Sequence, residues 1–358
     1  MNFLILLIGL VGVSEDSIYT KVYQQSAFIS YLEIGYLEHG KDDEGQLYHY
    51  MKWSHLTGFS FRDEDGVWLL TAGHAIIYDI NHLHDPHVAY FRSDTKKVPE
   101  ELEFIGYDPY IDVSLFRFLK PEAVDGLPLA RLGRSENLQV GQEVISISCS
   151  GSLRFFLTKS VIAKLDFSGL YIGNKQPQLI VHNCHIISGS SGSPLLNLEG
   201  EVIGLNVMVF KPQIMATTNF GLAVPIDDIK FLLKEMKRGG KIEHQETGLI
   251  IFANSADIYE GDLINRLNVP SRPLKEGVII IDFKPDSQAA LSGFKPGDRI
   301  VACNGVEIKD PMEFLKMVFL KAKPYDILKL EIDRYGQKMI LPLLLVDFEK
   351  KVLVNECE

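Results

Sequence analysis

Between residues 19 and 223 the chain is a series of short runs rich in Val, Ile, Phe and Tyr, among them SAFISYLEIGYLE, GFSFRDEDGVWLLTAGH, DVSLFRFL, EVISISCS, LYIG, QLIVHN, SPLLNLEGEVIGLNVMVF and NFGLAVP. Gly, Asp, Asn and Pro separate them, and this rhythm predicts strands, with little helix. Two turn signals are sharp: Asp63-Glu64-Asp65-Gly66 and Asn197-Leu198-Glu199-Gly200 each divide a pair of strands. The expectation is an all-β barrel or sandwich of about 200 residues.

The pattern changes at PIDDIKFLLKEMKRGG. Ile229, Leu232, Leu233 and Met236 recur at helical spacing, Asp227 and Asp228 lie near the positive end of the dipole, and Gly239-Gly240 stop the run. This predicts one helix, with Pro225 in its first turn, followed by a linker over 239–246. The stretch 247–347 reads as a compact α+β unit. VIIIDF is a strand, Ser287 to Leu291 a short helix, and Gly293 its left-handed stop. Lys295-Pro296-Gly297-Asp298 is a tight turn before the strand RIVAC. A second helix, Met312 to Lys321, carries Phe314, Leu315, Val318 and Phe319, and the strands DILKLEIDR and KMILPLLLV close the unit. The plan is an N-terminal segment 1–18, a β domain 19–238, a linker 239–246, a second domain 247–347 and a tail 348–358.

Composition adds limits. Apolar residues at 46% are enough for real cores without disulfide or metal staples. The net charge of -11 repels phosphate backbones and excludes nucleic acid as the main partner. Cys149, Cys184, Cys303 and Cys357 are widely spaced and define no disulfide framework. The apolar run from Phe3 to Val13 falls short of the about 20 residues a membrane helix needs. It suits the core of a signal peptide, although no Lys or Arg precedes it. The reading is export to the periplasm or another extracytoplasmic space, with a cytoplasmic protein as the alternative.

Three local motifs carry chemistry. WLLTAGHAI puts His74 in a short turn after an apolar strand, YIDVSLFRF puts Asp112 just before one, and SGSSGSPLL puts Ser191 in a Gly-flanked turn. Acyl transfer needs a hydroxyl, an imidazole to take its proton, and a carboxylate to orient the imidazole. It also needs backbone N–H groups at the developing oxyanion, and those of Gly189 and Ser191 fill that role. No cofactor or metal is required.

TAGH, DVSLFRF, GSSGSPLLN, GEVIGLN and FGLAVP together resemble the trypsin-like serine proteases, and most of all the HtrA family. The resemblance implies a double β-barrel (trypsin-like) followed by a small PDZ domain, an endopeptidase acting on unfolded or damaged proteins, and homotrimers. EGVIIIDFKPDSQAALSGFKPGDRIVACNGVEI is similar to the PDZ signature of these proteases. Peptide C-termini are then expected at Thr247, Gly248, Leu249 and Ile250, added as a strand. The chain departs from the family at Ser190, usually Asn or Asp, and at Ser193, usually Gly. These changes leave open a catalytically inactive, peptide-binding or chaperone scaffold on the same fold. Asn206 stands where glutamyl endopeptidases of this fold carry His. His185, six residues before Ser191, replaces the Asp of Arg- and Lys-specific enzymes. His185, Leu205 and Asn206 are the expected specificity-pocket residues.

NHLHDPH places His82, His84, Asp85 and His87 together. It resembles the HxHxDH of metallo-hydrolases, but Asp85 is one place early and Pro86 fills its slot. A solvated loop is the simpler reading, because ligand sets need partners from elsewhere in a fold.

Overall fold

The computed structural model describes residues 17–41, 46–75, 83–91, 100–109, 111–126, 128–150, 153–167, 179–210, 220–242, 245–247, 249–252, 277–283, 287–309, 313–314, 317–318, 322–323 and 325–347. The apolar N-terminal run, His82, Gly248 and Cys357 lie outside these residues. The side chains of His84 and His87 do so as well.

The described chain opens with a helix, α1 (Ile18–Gln25), just ahead of the first strand-like run and not singled out by the sequence pattern. The Ser17 hydroxyl caps it, accepting from the Thr20 N–H at 3.3 Å. Val22 is its one buried residue, so the helix leaves no apolar stripe to read.

Six strands follow: β1 (Ile29–Lys41), β2 (Leu47–Asp63), β3 (Gly66–Ala72), β4 (Leu83–Phe91), β5 (Glu100–Asp108) and β6 (Val113–Phe118). Their order is β5-β4-β1-β2-β3-β6, and β5 also pairs with β6, which closes a barrel. The turn predicted at Glu64-Asp65 sets Asp63 opposite Gly66 in the β2–β3 hairpin.

A second set comprises β7 (Arg131–Leu132), β8 (Glu143–Ser150), β9 (Leu153–Phe167), β10 (Leu179–His182), β11 (Pro194–Leu196), β12 (Glu201–Phe210) and β13 (Phe220–Pro225). Here the order is β11-β8-β9-β10-β13-β12-β7, and pairing of β11 with β12 closes a second six-stranded barrel. Closure leaves neither barrel an exposed edge along its ring. The predicted helix is α2 (Ile226–Met236), with Pro225 at its N-cap, just outside the first turn. After it, β14 (Gly240–Lys241) runs parallel to β5 at Gly106 and Tyr107. Part of the stretch expected as linker is thus hydrogen-bonded to the first barrel.

Alternation along the strands turns one apolar face inward. Phe59, Phe61, Leu69, Leu115 and Phe116 of the first barrel join Ile145, Ile147, Leu205 and Val224 of the second in one buried cluster. Ile229, Leu232 and Met236 add the buried face of α2.

The C-terminal unit contains β15 (Gln245–Glu246), β16 (Leu249–Phe252), β17 (Val278–Phe283), α3 (Gln288–Leu291), β18 (Arg299–Cys303), β19 (Val306–Glu307), β20 (Ile327–Arg334), β21 (Gln337–Leu344) and β22 (Val346–Asp347). Its sheet runs β16-β17-β18-β20-β21, with β19 on β18 and a separate β15–β22 pair. The core is its own: Leu249, Ile280, Phe294, Ile300, Phe314, Val318, Leu330 and Ile332. Of the apolar residues expected on a helix over Met312 to Lys321, Phe314 and Val318 are fully buried. Leu315 and Phe319 lie outside the described residues. Among the described residues no helix is long and apolar enough to cross a membrane.

Candidate active site

Antiparallel pairing of β3 with β6 sets Ala72 opposite Val113, which brings the turn after β3 against the turn before β6. His74 and Asp112 occupy those two turns. The Asp112 carboxylate accepts from the His74 backbone N–H at 2.5 Å through Oδ1, and its Oδ2 lies 2.7 Å from His74 Nδ1. The Gly73 N–H donates to the Asp112 carbonyl at 2.8 Å. The His74 side chain is 41% exposed and that of Asp112 only 14%. The imidazole therefore keeps an open edge while its carboxylate is shielded. Desolvation pulls the His74 pKa down, and the hydrogen bond and charge of Asp112 push it up. The balance lies above the usual 6.5.

Ser191 arrives from the second barrel on the loop before β11. The Thr57 N–H of β2 donates to the Ser191 carbonyl at 3.0 Å. The Thr57 hydroxyl donates to the Gly189 carbonyl at 2.8 Å and accepts from the Cys149 N–H at 2.8 Å. Thr71 Oγ1 in turn donates to the Thr57 carbonyl at 2.7 Å. Gly192 lies so close that a Cβ there would stand 2.1 Å from Thr57 O and 2.2 Å from Thr71 Oγ1, and its φ is +86°. Only glycine fits. The loop that carries Ser191 is thus fastened to β2 and β3, the strands that lead into His74. His74 and Asp112 are joined directly, whereas Ser191 reaches the same edge through its backbone. Among the described residues Ser191 Oγ makes no hydrogen bond to His74.

Around Ser191 the amides divide by use. The Ser190 N–H is tied to the Ile187 carbonyl at 2.9 Å and the Gly192 N–H to the Asn206 carbonyl at 2.7 Å. Among the described residues the N–H groups of Gly189 and Ser191, the two expected at an oxyanion, donate to no backbone acceptor. Gly189 has a φ of +93° and its carbonyl is held by Thr57, away from such a role.

The expected specificity pocket needs correction. Of its three residues only His185 is exposed. Leu205 and Asn206 are both 0% exposed. Successive residues of a strand face opposite ways. Leu205 enters the shared core, and the Asn206 side chain is spent on His182, Ser146 and Ser193. Both faces of β12 are covered here, so neither residue lines an open pocket. Thr57 and His182 escaped the sequence reading altogether: a Thr in a strand signals only β propensity, and an isolated His carries no motif.

In the C-terminal unit, Thr247 Oγ1 accepts from the Leu249 N–H at 3.2 Å, and Leu249 is buried. Ile250 lies on β16, the edge strand of its sheet, opposite Asp282. Gly248 lies outside the described residues. Among the described residues no group of His, Cys, Asp or Glu is placed to hold a metal. Cys149, Cys184 and Cys303 are buried free thiols, and burial pushes the first two up to about 12.

The trypsin-like peptidase domain family matches residues 56–205, and the PDZ domain family matches residues 256–343. The Do-like 14 protein of Arabidopsis thaliana is 31% identical over 260 residues, covering 70% of this chain and 57% of its own length. The periplasmic serine endoprotease DegP of Salmonella typhimurium is 28% identical over 216 residues, 60% of this chain and 42% of DegP. The chain therefore spans about half the length of these curated relatives. Among solved structures, the HtrA-type protease AlgW with a tripeptide aligns at a TM-score of 0.65 and 19% identity, over 92% of this chain and 96% of that one. Two closed barrels, a peptidase match on the first and second of them and a PDZ match on the unit behind them converge on one conclusion: the chain belongs to the HtrA family of trypsin-like proteases, with one PDZ domain.

Proposed function

We propose that the protein is a serine endopeptidase that hydrolyses peptide bonds with Ser191, His74 and Asp112. The observation that carries this reading is the double contact of Asp112 with His74, backbone and ring together. With Nδ1–H given to the carboxylate, Nε2 is the free acceptor on the exposed edge of the ring. Ser191 Oγ attacks the scissile carbonyl and Nε2 takes its proton, the two groups closing to bonding distance in the substrate complex. The N–H groups of Gly189 and Ser191 receive the oxyanion. The imidazolium then protonates the leaving amine, and water cleaves the acyl-enzyme by the same route.

Substrates are unfolded or damaged chains, and the PDZ domain binds peptide C-termini along β16, near Thr247 to Ile250. Among the described residues β16 ends its sheet with one side unpaired, which supports that mode. Names of relatives such as periplasmic DegP support an extracytoplasmic location, and family likeness supports a homotrimer working in protein quality control. A fluorophosphonate should label the wild type, and Ser191→Ala should abolish both labelling and casein cleavage. Labelling that survives Ser191→Ala would remove Ser191 as nucleophile, and peptide binding by a wild type without turnover would favour the inactive scaffold.

A further inference from the structure

Beneath the nucleophile loop, five polar side chains lie together with no exposed surface: Ser146, Ser148, His182, Ser193 and Asn206. Burying polar groups costs free energy unless each is hydrogen-bonded, and here they bond one another. Asn206 is the hub. Its backbone carbonyl accepts from the Gly192 N–H at 2.7 Å, and its N–H donates to the Ser193 carbonyl at 2.9 Å. Its amide Nδ2 donates to Ser193 Oγ at 2.9 Å and to Ser146 Oγ at 3.0 Å. Three of these four bonds end on the two residues that directly follow Ser191.

The direction of the amide is set one residue further back. The Cys184 backbone N–H, which can only donate, points at His182 Nδ1 at 3.2 Å. Nδ1 must therefore accept, so the ring proton sits on Nε2. Nε2 donates to Asn206 Oδ1 at 2.7 Å. With its oxygen committed to the ring, Asn206 turns its NH₂ toward Ser193 and Ser146. The ring in turn fills the space over Gly221, where a Cβ would stand 2.1 Å from His182 Cε1. Burial pushes the His182 pKa down to about 4, so this tautomer persists at neutral pH.

Thr57 fastens the loop from the first barrel; this relay fastens it from the second. We propose that His182 and Asn206 are positioning residues for the nucleophile, acting through Ser193 to fix the loop that carries Ser191. The Ser193 hydroxyl, a departure from the family glycine, is the handle by which the second barrel holds that loop. The inference rests on the serine-protease reading, because it concerns the placement of that nucleophile.

The test uses the full-length chain and a fluorophosphonate, with labelled casein for kcat and KM and circular dichroism for the folded fraction. His182→Leu should lower the labelling rate and kcat about 10-fold or more, with KM nearly unchanged. His182→Gln, whose amide can donate to Asn206 and accept from Cys184, should restore most of the loss. Ser193→Ala, which removes only the handle, should lower both rates severalfold in a folded protein. Wild-type rates in folded His182→Leu and Ser193→Ala would overturn the proposal, as would losses that track the folded fraction alone. If His182→Leu fails to fold, an unchanged rate in Ser193→Ala overturns it by itself. A wild type that the fluorophosphonate does not label would instead overturn the serine-protease reading underneath.

Discussion

Asp112 is held in a left-handed backbone conformation, φ +58°, which only a few non-glycine residues adopt. The turn aims both carboxylate oxygens at His74. That arrangement makes a signed prediction for catalysis. The imidazole must be neutral to act as base, so activity rises with pH through the His74 pKa, which lies above 6.5. Asp112→Asn removes both upward causes, the charge and the hydrogen bond to a carboxylate. The acid limb of kcat/KM should therefore move to lower pH, and kcat should fall by about 10³–10⁴, the scale of the corresponding change in chymotrypsin-type triads. A pH profile of the variant checks this, and an unmoved limb would separate Asp112 from the ionisation of His74. His74 and Asp112, which the structure joins, and Ser191, the proposed nucleophile, could be picked out of the sequence because each lies in a motif of its own. Thr57, Ser146 and His182 were not, because their roles exist only once strands distant in sequence meet. The expected roles of Leu205 and Asn206 failed for a related reason: alternation assigns faces to a strand without saying what covers them.

At the scale of elements, α2 was legible from its apolar period, but what fixes its ends was not. Asp227, read as a dipole partner, accepts from the Ser135 N–H at 2.6 Å and the Glu136 N–H at 3.2 Å, and so ties the helix start to a loop. At the other end, Lys237 Nζ bonds Asp63 at 2.5 Å and Asp65 at 2.6 Å in the β2–β3 turn, and lies 5.0 Å from the centre of the Trp68 ring. Trp68 Nε1 donates to the second oxygen of Asp63 at 2.9 Å. Burial raises the Asp63 pKa, but the bonds from Lys237 and Trp68 outweigh it and leave the group below 3.8. A depressed carboxylate stabilises the fold above its unfolded pKa, and that stability is lost as pH falls through the folded value. Lys237→Met should therefore cost about 1 kcal/mol at neutral pH, and the gap to wild type should narrow near pH ~3. Urea melts at the two pH values measure it. An equal gap at both would mean that packing of the lysine stem on Trp68, not charge, makes the contribution. α1 had no such period, and neither did the short strands β14 and β15, whose two residues each carry no pattern long enough to read.

At the scale of the whole molecule, residues of both barrels join in one buried cluster, the second barrel adds a smaller cluster of its own, and the C-terminal unit has a separate core with no residue in common. The change from strand rhythm to mixed α and β pattern made that division readable in the sequence. It also makes stability divisible. Asp298, 0% exposed, sits in the tight turn before β18 and receives Arg334 in a forked contact, Nε at 2.6 Å and Nη2 at 2.8 Å. The same guanidinium donates to the Gly293 carbonyl at 2.8 Å, and Asp298 also accepts from the Lys295 N–H at 2.8 Å. The guanidinium therefore joins the end of the sheet to both turns that follow α3. Arg334→Ala strands a buried carboxylate, a change that costs about 3–5 kcal/mol. Calorimetry should then find the transition of the C-terminal unit lowered by many degrees, with the barrel transition left near its wild-type temperature. Fluorophosphonate labelling of Ser191 should stay at the wild-type rate, because Thr57, His74, Asp112 and Asn206 all belong to the barrels. A single merged transition, or a labelling rate that falls with the C-terminal melt, would mean instead that the C-terminal unit holds the nucleophile loop in place across the two cores.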